Sequence, residues 1–165
     1  MTDKQIIDHI VHNLRNNNLS DIKKIAQKGL PIASFILCSC FIEQVSGFRY
    51  AIAKKQSGRI MFEKFVADYL QKFDQRYKPK NLRTDLRNKL VHNYSIGDSY
   101  SLTMGRKTNH FELDSDGRLI LNLECFLVDI EKSFNVWIKE LQSDLDIKQN
   151  ALKWYSMHRI LTQVS

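Results

Sequence analysis

The segment from Pro31 to about Ala53 constrains this chain more than any other. It reads as one long helix, apolar on nearly every side over its first half. Pro31 fits the first turn of that helix, where its missing N–H costs nothing. From Leu30 to Ile42 the hydroxyls of Ser34 and Ser39 are the main polar breaks. A helix without a polar face has to be surrounded, so the spacing predicts a central helix in a bundle. The apolar run is shorter than the roughly 20 residues needed to span a bilayer, and the N-terminus shows no basic region followed by an apolar stretch. No membrane role and a cytoplasmic location are therefore expected.

The other elements follow from periodicity and punctuation. With 2 prolines and 6 glycines in 165 residues, long helices are favoured over tight turns. Hydrophobic residues at 43% and charged residues at 26% suit one globular domain. Thr2 and Gln5 form a capping box before Ile6, Ile7, Ile10, Val11 and Leu14. Asn16-Asn17-Asn18 is expected to end that helix, and Ser20 to cap a short second one that stops at Gly29. Ser57 caps a fourth helix with Phe62, Phe65, Tyr69 and Phe73 on one stripe. Pro79 opens a fifth, carrying Leu82, Leu86 and Leu90 and ending near His92 or Asn93.

The period then shortens to two. Tyr100, Leu102 and Met104, then Phe111 and Leu113, then Leu119 and Leu121 alternate with polar residues, and Asp116-Gly117 marks a turn. A small antiparallel hairpin or three-stranded insert is expected near 99–122. Asn122 caps a long helix in which Leu123, Leu127, Ile130, Phe134, Trp137 and Leu141 form a heptad-like seam, more often core than dimer face. A last helix runs from about Asp146 to Leu161 and bears Leu152, Tyr155 and Ile160. The fold class is mainly α, a single domain over 1–165 with about five to seven helices: accessory helices over 1–29, core over 31–93, insert over 99–122, C-terminal helices over 123–162.

Chemistry concentrates in one place. Arg87-Asn88-Lys89-Leu90-Val91-His92-Asn93-Tyr94 puts a guanidinium, a carboxamide, an imidazole and a phenol at one helix end. An imidazole moves protons near neutral pH and a guanidinium grips phosphate oxygens. Around them lie Lys72, Arg76, Lys78, Lys80, Arg83 and Lys89, against Asp74 and Asp85. The local charge is +5, out of +7 for the chain. This is either a solvated helix face or a phosphate-binding surface. Of the interleaved aromatics, Phe73 is expected in the core and Tyr77 available for stacking on bases.

Helix geometry sets a difficulty. At about 100° per residue, Arg87 and His92 lie roughly 140° apart, whereas Asn88 and His92 share a face. They meet only if the helix ends at the motif, if the arginine curls back, or if a second subunit contributes one of them. Glu43, inside the apolar helix, needs a cationic partner, with Arg87, Arg49 and Arg83 as candidates. There is no glycine-rich phosphate loop, no Gly-x-Ser-x-Gly elbow, and no metal-ligand spacing around Cys38, Cys40, Cys125, His9 or His12. No cofactor is expected.

Arg87, four intervening residues, His92 and then Tyr94, placed after a Glu43-bearing apolar helix, resemble the Arg-x4-His-x-Tyr form of the HEPN domain signature. The resemblance runs over roughly residues 30 to 145 in order of elements. It implies a helical bundle that forms homodimers with the motifs facing across a cleft, and in many members a metal-independent endoribonuclease of toxin, phage-defence or RNA-processing systems. On that basis His92 is the general acid/base, Arg87 stabilises the phosphorane, Asn88 positions the phosphate or His92, and Glu43 faces the motif. Arg76, Lys78, Lys80, Arg83 and Lys89 would hold RNA. Tyr94 matches the tyrosine that a partner nucleotidyltransferase modifies with AMP in the HepT-type subset. Other members only bind a nucleotide or a protein, and a plain helical interaction protein is the third reading. The β insert and N-terminal helices depart from compact members of the family.

Overall fold

The computed structural model describes residues 1–51, 57–105 and 107–158. The chain is mainly α-helical with a small sheet inserted before the last two helices. Thr2 begins it with a reciprocal cap. Its Oγ1 accepts the Gln5 N–H at 3.3 Å, and Gln5 Oε1 accepts the Thr2 N–H at 2.8 Å. Helix α1, Asp3–His12, then continues without interruption through a π-helical segment, Asn13–Leu19, into α2, Ser20–Gln27.

The asparagines therefore do not end the first helix, and Ser20 is an interior residue rather than a cap, at φ −61° and ψ −45°. Asparagine disfavours helices because its carboxamide competes for backbone groups. Here the carboxamides are occupied elsewhere. Asn17 Nδ2 donates to Asn13 Oδ1 at 2.7 Å and Asn18 Nδ2 to Gln44 Oε1 at 2.7 Å. The helix stops at Gly29, whose φ of 73° is left-handed and open to glycine without strain.

Helix α3, Pro31–Tyr50, is the central element. Ala51 caps it, and the expected residues Ile52 and Ala53 lie outside the described residues. Its length and composition would let it cross a membrane, but more than half of it is buried within this bundle, against α2 and the helices Gly58–Asp68, Leu123–Ser143 and Leu145–Met157. Three buried hydroxyls along it turn back onto their own helix: Ser34, Ser39 and Ser46 donate to the carbonyls of Leu30, Ile36 and Glu43 at 2.9, 2.7 and 2.7 Å. Phe35 stacks on Phe126 at 6.1 Å and Phe41 meets Phe134 edge-on at 5.3 Å. Gly47 permits the closest approach, since a Cβ there would sit 2.4 Å from the Trp154 ring.

Helix α4, Gly58–Asp68, follows Ser57, which holds the N-cap position without a side-chain cap bond. Next come α5, Pro79–Leu82, a second π-helical segment, Arg83–Leu90, and α6, Val91–Asn93, all continuous. The heptad-like seam of α7, Leu123–Ser143, is buried inside this chain, and Asn122 caps it by accepting the Cys125 N–H at 3.0 Å. Asp144 caps α8, Leu145–Met157. Ile160 and Leu161 lie outside the described residues.

The insert differs from expectation in direction. Strands β1, Tyr100–Thr103, and β2, Leu119–Asn122, pair in parallel, Tyr100 opposite Leu119. The antiparallel element is narrower. Leu113 bridges Leu119, and the chain turns at Gly117, whose φ is 76° and whose N–H donates to Asp114 O at 3.1 Å. A two-residue alternation identifies a strand but carries no sign for its neighbour's direction. That direction is set at the start of both strands, where Asp85 accepts the N–H groups of Ser99 and Tyr100 and Leu119 donates to Ser99 O at 3.0 Å.

Candidate functional site

The motif closes within one chain, and the π-helical winding is the reason. Val91 N–H donates to Leu86 O, five residues back, instead of only four or three. A ring closed at i→i+5 turns less per residue than an α-helix and so brings residues five apart closer to one face. Arg87 and His92 are five apart, and Arg87 Nη1 lies 3.3 Å from His92 Nε2. The 140° separation of an α-helix does not arise, and no second subunit is needed for the two to meet. A guanidinium only donates, so Nε2 is the acceptor in this contact.

On its other side Arg87 Nε donates to Glu43 Oε2 in a close ion pair. The three candidates for Glu43 are thereby separated. Arg49 is committed elsewhere, its Nε donating to Tyr69 Oη at 2.6 Å beside Glu140. Arg83 has no ion pair among the described residues. Glu43 is half-buried, its Oε1 bordering Gly58 at the start of α4. Glu43, Arg87 and His92 thus form a chain from the core helix to the surface, where His92 is exposed. One turn before Glu43, burial pushes the Cys40 thiol up, opposed by the Arg87 charge and reinforced by Glu43.

Asn88 is partly buried and makes no side-chain hydrogen bond among the described residues. Tyr94 follows the helix in a left-handed conformation, φ 52° and ψ 31°, with its ring 74% exposed.

The basic surface is more neutralised than its composition suggests. Arg76 is held on Asp74 by Nη2 at 2.6 Å and Nε at 3.0 Å, and Lys89 Nζ is 3.8 Å from Asp98. Lys72 reaches Glu140 at 3.5 Å. Lys78, Lys80 and Arg83 have no ion pair among the described residues. The aromatic expectation is reversed. Tyr77 is fully buried, its hydroxyl donating to Asp129 at 3.0 Å, while Phe73 is 38% exposed with Lys132 over its face. The short helical turn after Tyr69 rotates Phe73 off the buried stripe.

In the sequence Asp85 shows only as a negative charge within the basic segment. It is 2% exposed, and its carboxylate accepts the Ser99 N–H at 3.0 Å and the Tyr100 N–H at 3.2 Å. It lies against Gly97 so closely that a Cβ there would fall 1.7 Å from Oδ1. The segment leaving the motif is therefore tied back under it. The signal was present: Asp85 stands three residues after Leu82 and so shares the buried stripe.

Among the described residues no group of three or more His, Cys, Asp or Glu is placed to hold a metal ion. No family model matches the chain, and comparisons with curated proteins and with solved structures give no match.

Proposed function

We propose that the protein is a HEPN-like RNA-binding protein that cleaves RNA without a metal, working as a homodimer. The single observation that carries this reading is the contact of Arg87 with His92 at an exposed helix end, backed by Glu43. In the reaction, the ribose 2′-hydroxyl gives its proton to His92 Nε2 and the resulting oxygen attacks the neighbouring phosphorus. The O5′ bond breaks, and the leaving oxygen takes a proton, giving a 2′,3′-cyclic phosphate and a 5′-hydroxyl. Arg87 turns its Nη groups onto the phosphorane while Glu43 keeps Nε fixed. One imidazole cannot be base and acid at once, so the second proton donor is assigned to the facing motif of a second copy. Lys78, Lys80 and Arg83 guide the backbone. In this reading Tyr94 is also the residue that a partner nucleotidyltransferase would modify.

The internal engagement of Arg87 at both Nε and Nη1 favours a second reading, a module that binds a nucleotide or a protein without cutting. Single-stranded RNA incubated with the protein in EDTA separates them. Cleavage lost in both Arg87→Ala and His92→Ala, with the helical circular dichroism unchanged, supports the ribonuclease. Salt-sensitive binding without cleavage supports the second reading. Absence of both leaves a helical interaction protein whose motif is an ion-paired helix end.

A further inference from the structure

Two non-glycine residues among those described have left-handed backbone, Phe111 at φ 63° and Tyr94 at φ 52°. Such a conformation is unfavourable for a bulky L-residue and persists where something outweighs it. For Phe111 the compensation is visible. It is 4% exposed, meets Tyr77 edge-on at 4.7 Å and packs 4.0 Å from the His110 ring. Tyr94 has no comparable gain. Its ring is 74% exposed, and it makes no ring contact and no side-chain hydrogen bond among the described residues. The position is a helix C-cap of the kind glycine fills with least strain. An aromatic there costs stability and makes no compensating contact among the described residues, which leaves its face open to a ligand.

The corner that carries the ring is held in place. Ser95 N–H returns to Lys89 O at 3.4 Å, and Asp85 holds the chain again at Ser99 and Tyr100. The ring stands two residues beyond His92, on the same helix end as Arg87. From this geometry we infer that Tyr94 is a stacking platform for one unpaired base of the bound strand, so the ligand is single-stranded RNA and not a duplex. An aromatic face takes any base and cannot reach one already stacked and paired. The inference rests on the reading of the Arg87–His92 site as an RNA site, and adds to it the strand class and the residue that selects it.

The test compares Tyr94→Phe, Tyr94→Ala and Tyr94→Gly with wild type, using one mixed-sequence RNA oligonucleotide as single strand and as duplex. Phenylalanine keeps the ring and is expected to behave as wild type. Alanine and glycine are expected to raise KM for the single strand about tenfold with kcat retained. Where the protein binds but does not cut, Kd from fluorescence anisotropy replaces KM, and the catalytic reading falls while this one is still decided. Glycine is also expected to raise the melting temperature by about 2 °C, because it removes the backbone strain. Wild-type affinity in the alanine and glycine variants overturns the platform and leaves cleavage by Arg87 and His92 standing. Damage by phenylalanine equal to that by alanine overturns it in favour of the hydroxyl. Equal losses for single strand and duplex overturn the strand preference, and a wild type that neither binds nor cuts overturns both readings.

Discussion

At Arg87 the guanidinium bridges a core carboxylate and a surface imidazole, with Glu43 on Nε and His92 on Nη1. Lysine carries the same charge but not the planar fork, and cannot hold both partners in one geometry. Arg87→Lys is therefore expected to lower RNA cleavage about 100-fold while shifting the melting temperature by no more than about 2 °C. A lysine variant that cuts at the wild-type rate would remove the fork from the mechanism. Glu43 makes a complementary case. The pair is partly exposed, so its loss should cost only about 1 kcal/mol of stability. Glu43→Gln and Glu43→Leu are expected to lower single-turnover cleavage by about tenfold, because Arg87 is then free to leave His92. Loss of stability with undiminished cleavage in either variant would make Glu43 a structural residue alone.

Among the elements, those with a stop or start residue were legible in the sequence: the Thr2 cap, Pro31, Pro79, Asn122 and the end of the motif helix at Asn93. The π-helical segments were not read, because closure at i→i+5 leaves the apolar stripe almost unchanged. With α-helical winding assumed throughout, Arg87 and His92 stand on different faces. Strand direction was illegible for the reason already given, and Tyr77 was misplaced because the charges around it suggested solvent. Two element-scale outcomes follow from what the sequence hid. Gly97→Ala forces its Cβ into Asp85 and is expected to cost about 1–3 kcal/mol in chemical denaturation and to loosen Tyr94. Wild-type stability there would mean that the segment relaxes freely. At the junction of β2 and α7, His110 Nδ1 accepts the Asn122 N–H at 3.1 Å, and burial holds its pKa below the ordinary imidazole value. Arg76 acts in the same sense, while Asp129 and Asp74 oppose it. The unfolded chain thus binds the proton more readily, so this contribution is complete above about pH 6.5 and is lost as the pH falls through the folded value. His110→Asn keeps an acceptor that does not titrate and is expected to flatten the fall in melting temperature below pH 6.5. An unchanged pH profile in the variant would exclude His110 as its source.

Over the whole molecule the excess of +7 is not evenly available. Arg76, Lys72, Lys89 and Arg87 are each ion-paired, while Lys78, Lys80 and Arg83 form no ion pair among the described residues. An ion-paired arginine brings little net charge to a phosphate, so Arg87 acts in the reaction through directed hydrogen bonds and adds little to the salt dependence. Binding of a single strand should therefore report the unpaired cations and not the total. Each phosphate neutralised on single-stranded nucleic acid contributes a slope of about −0.7 to the plot of log K against log salt. Three unpaired cations imply about −2, against about −5 if all seven basic residues between Lys72 and Lys89 took part. Replacing Lys78, Lys80 and Arg83 together by glutamine should remove most of that slope, whereas Arg76→Gln should leave it within about 0.5. A titration over a fourfold range of salt distinguishes these values. A slope near −5, or an Arg76→Gln variant as flat as the triple substitution, would mean that the ion pairs open on binding and that the charged face works as one surface.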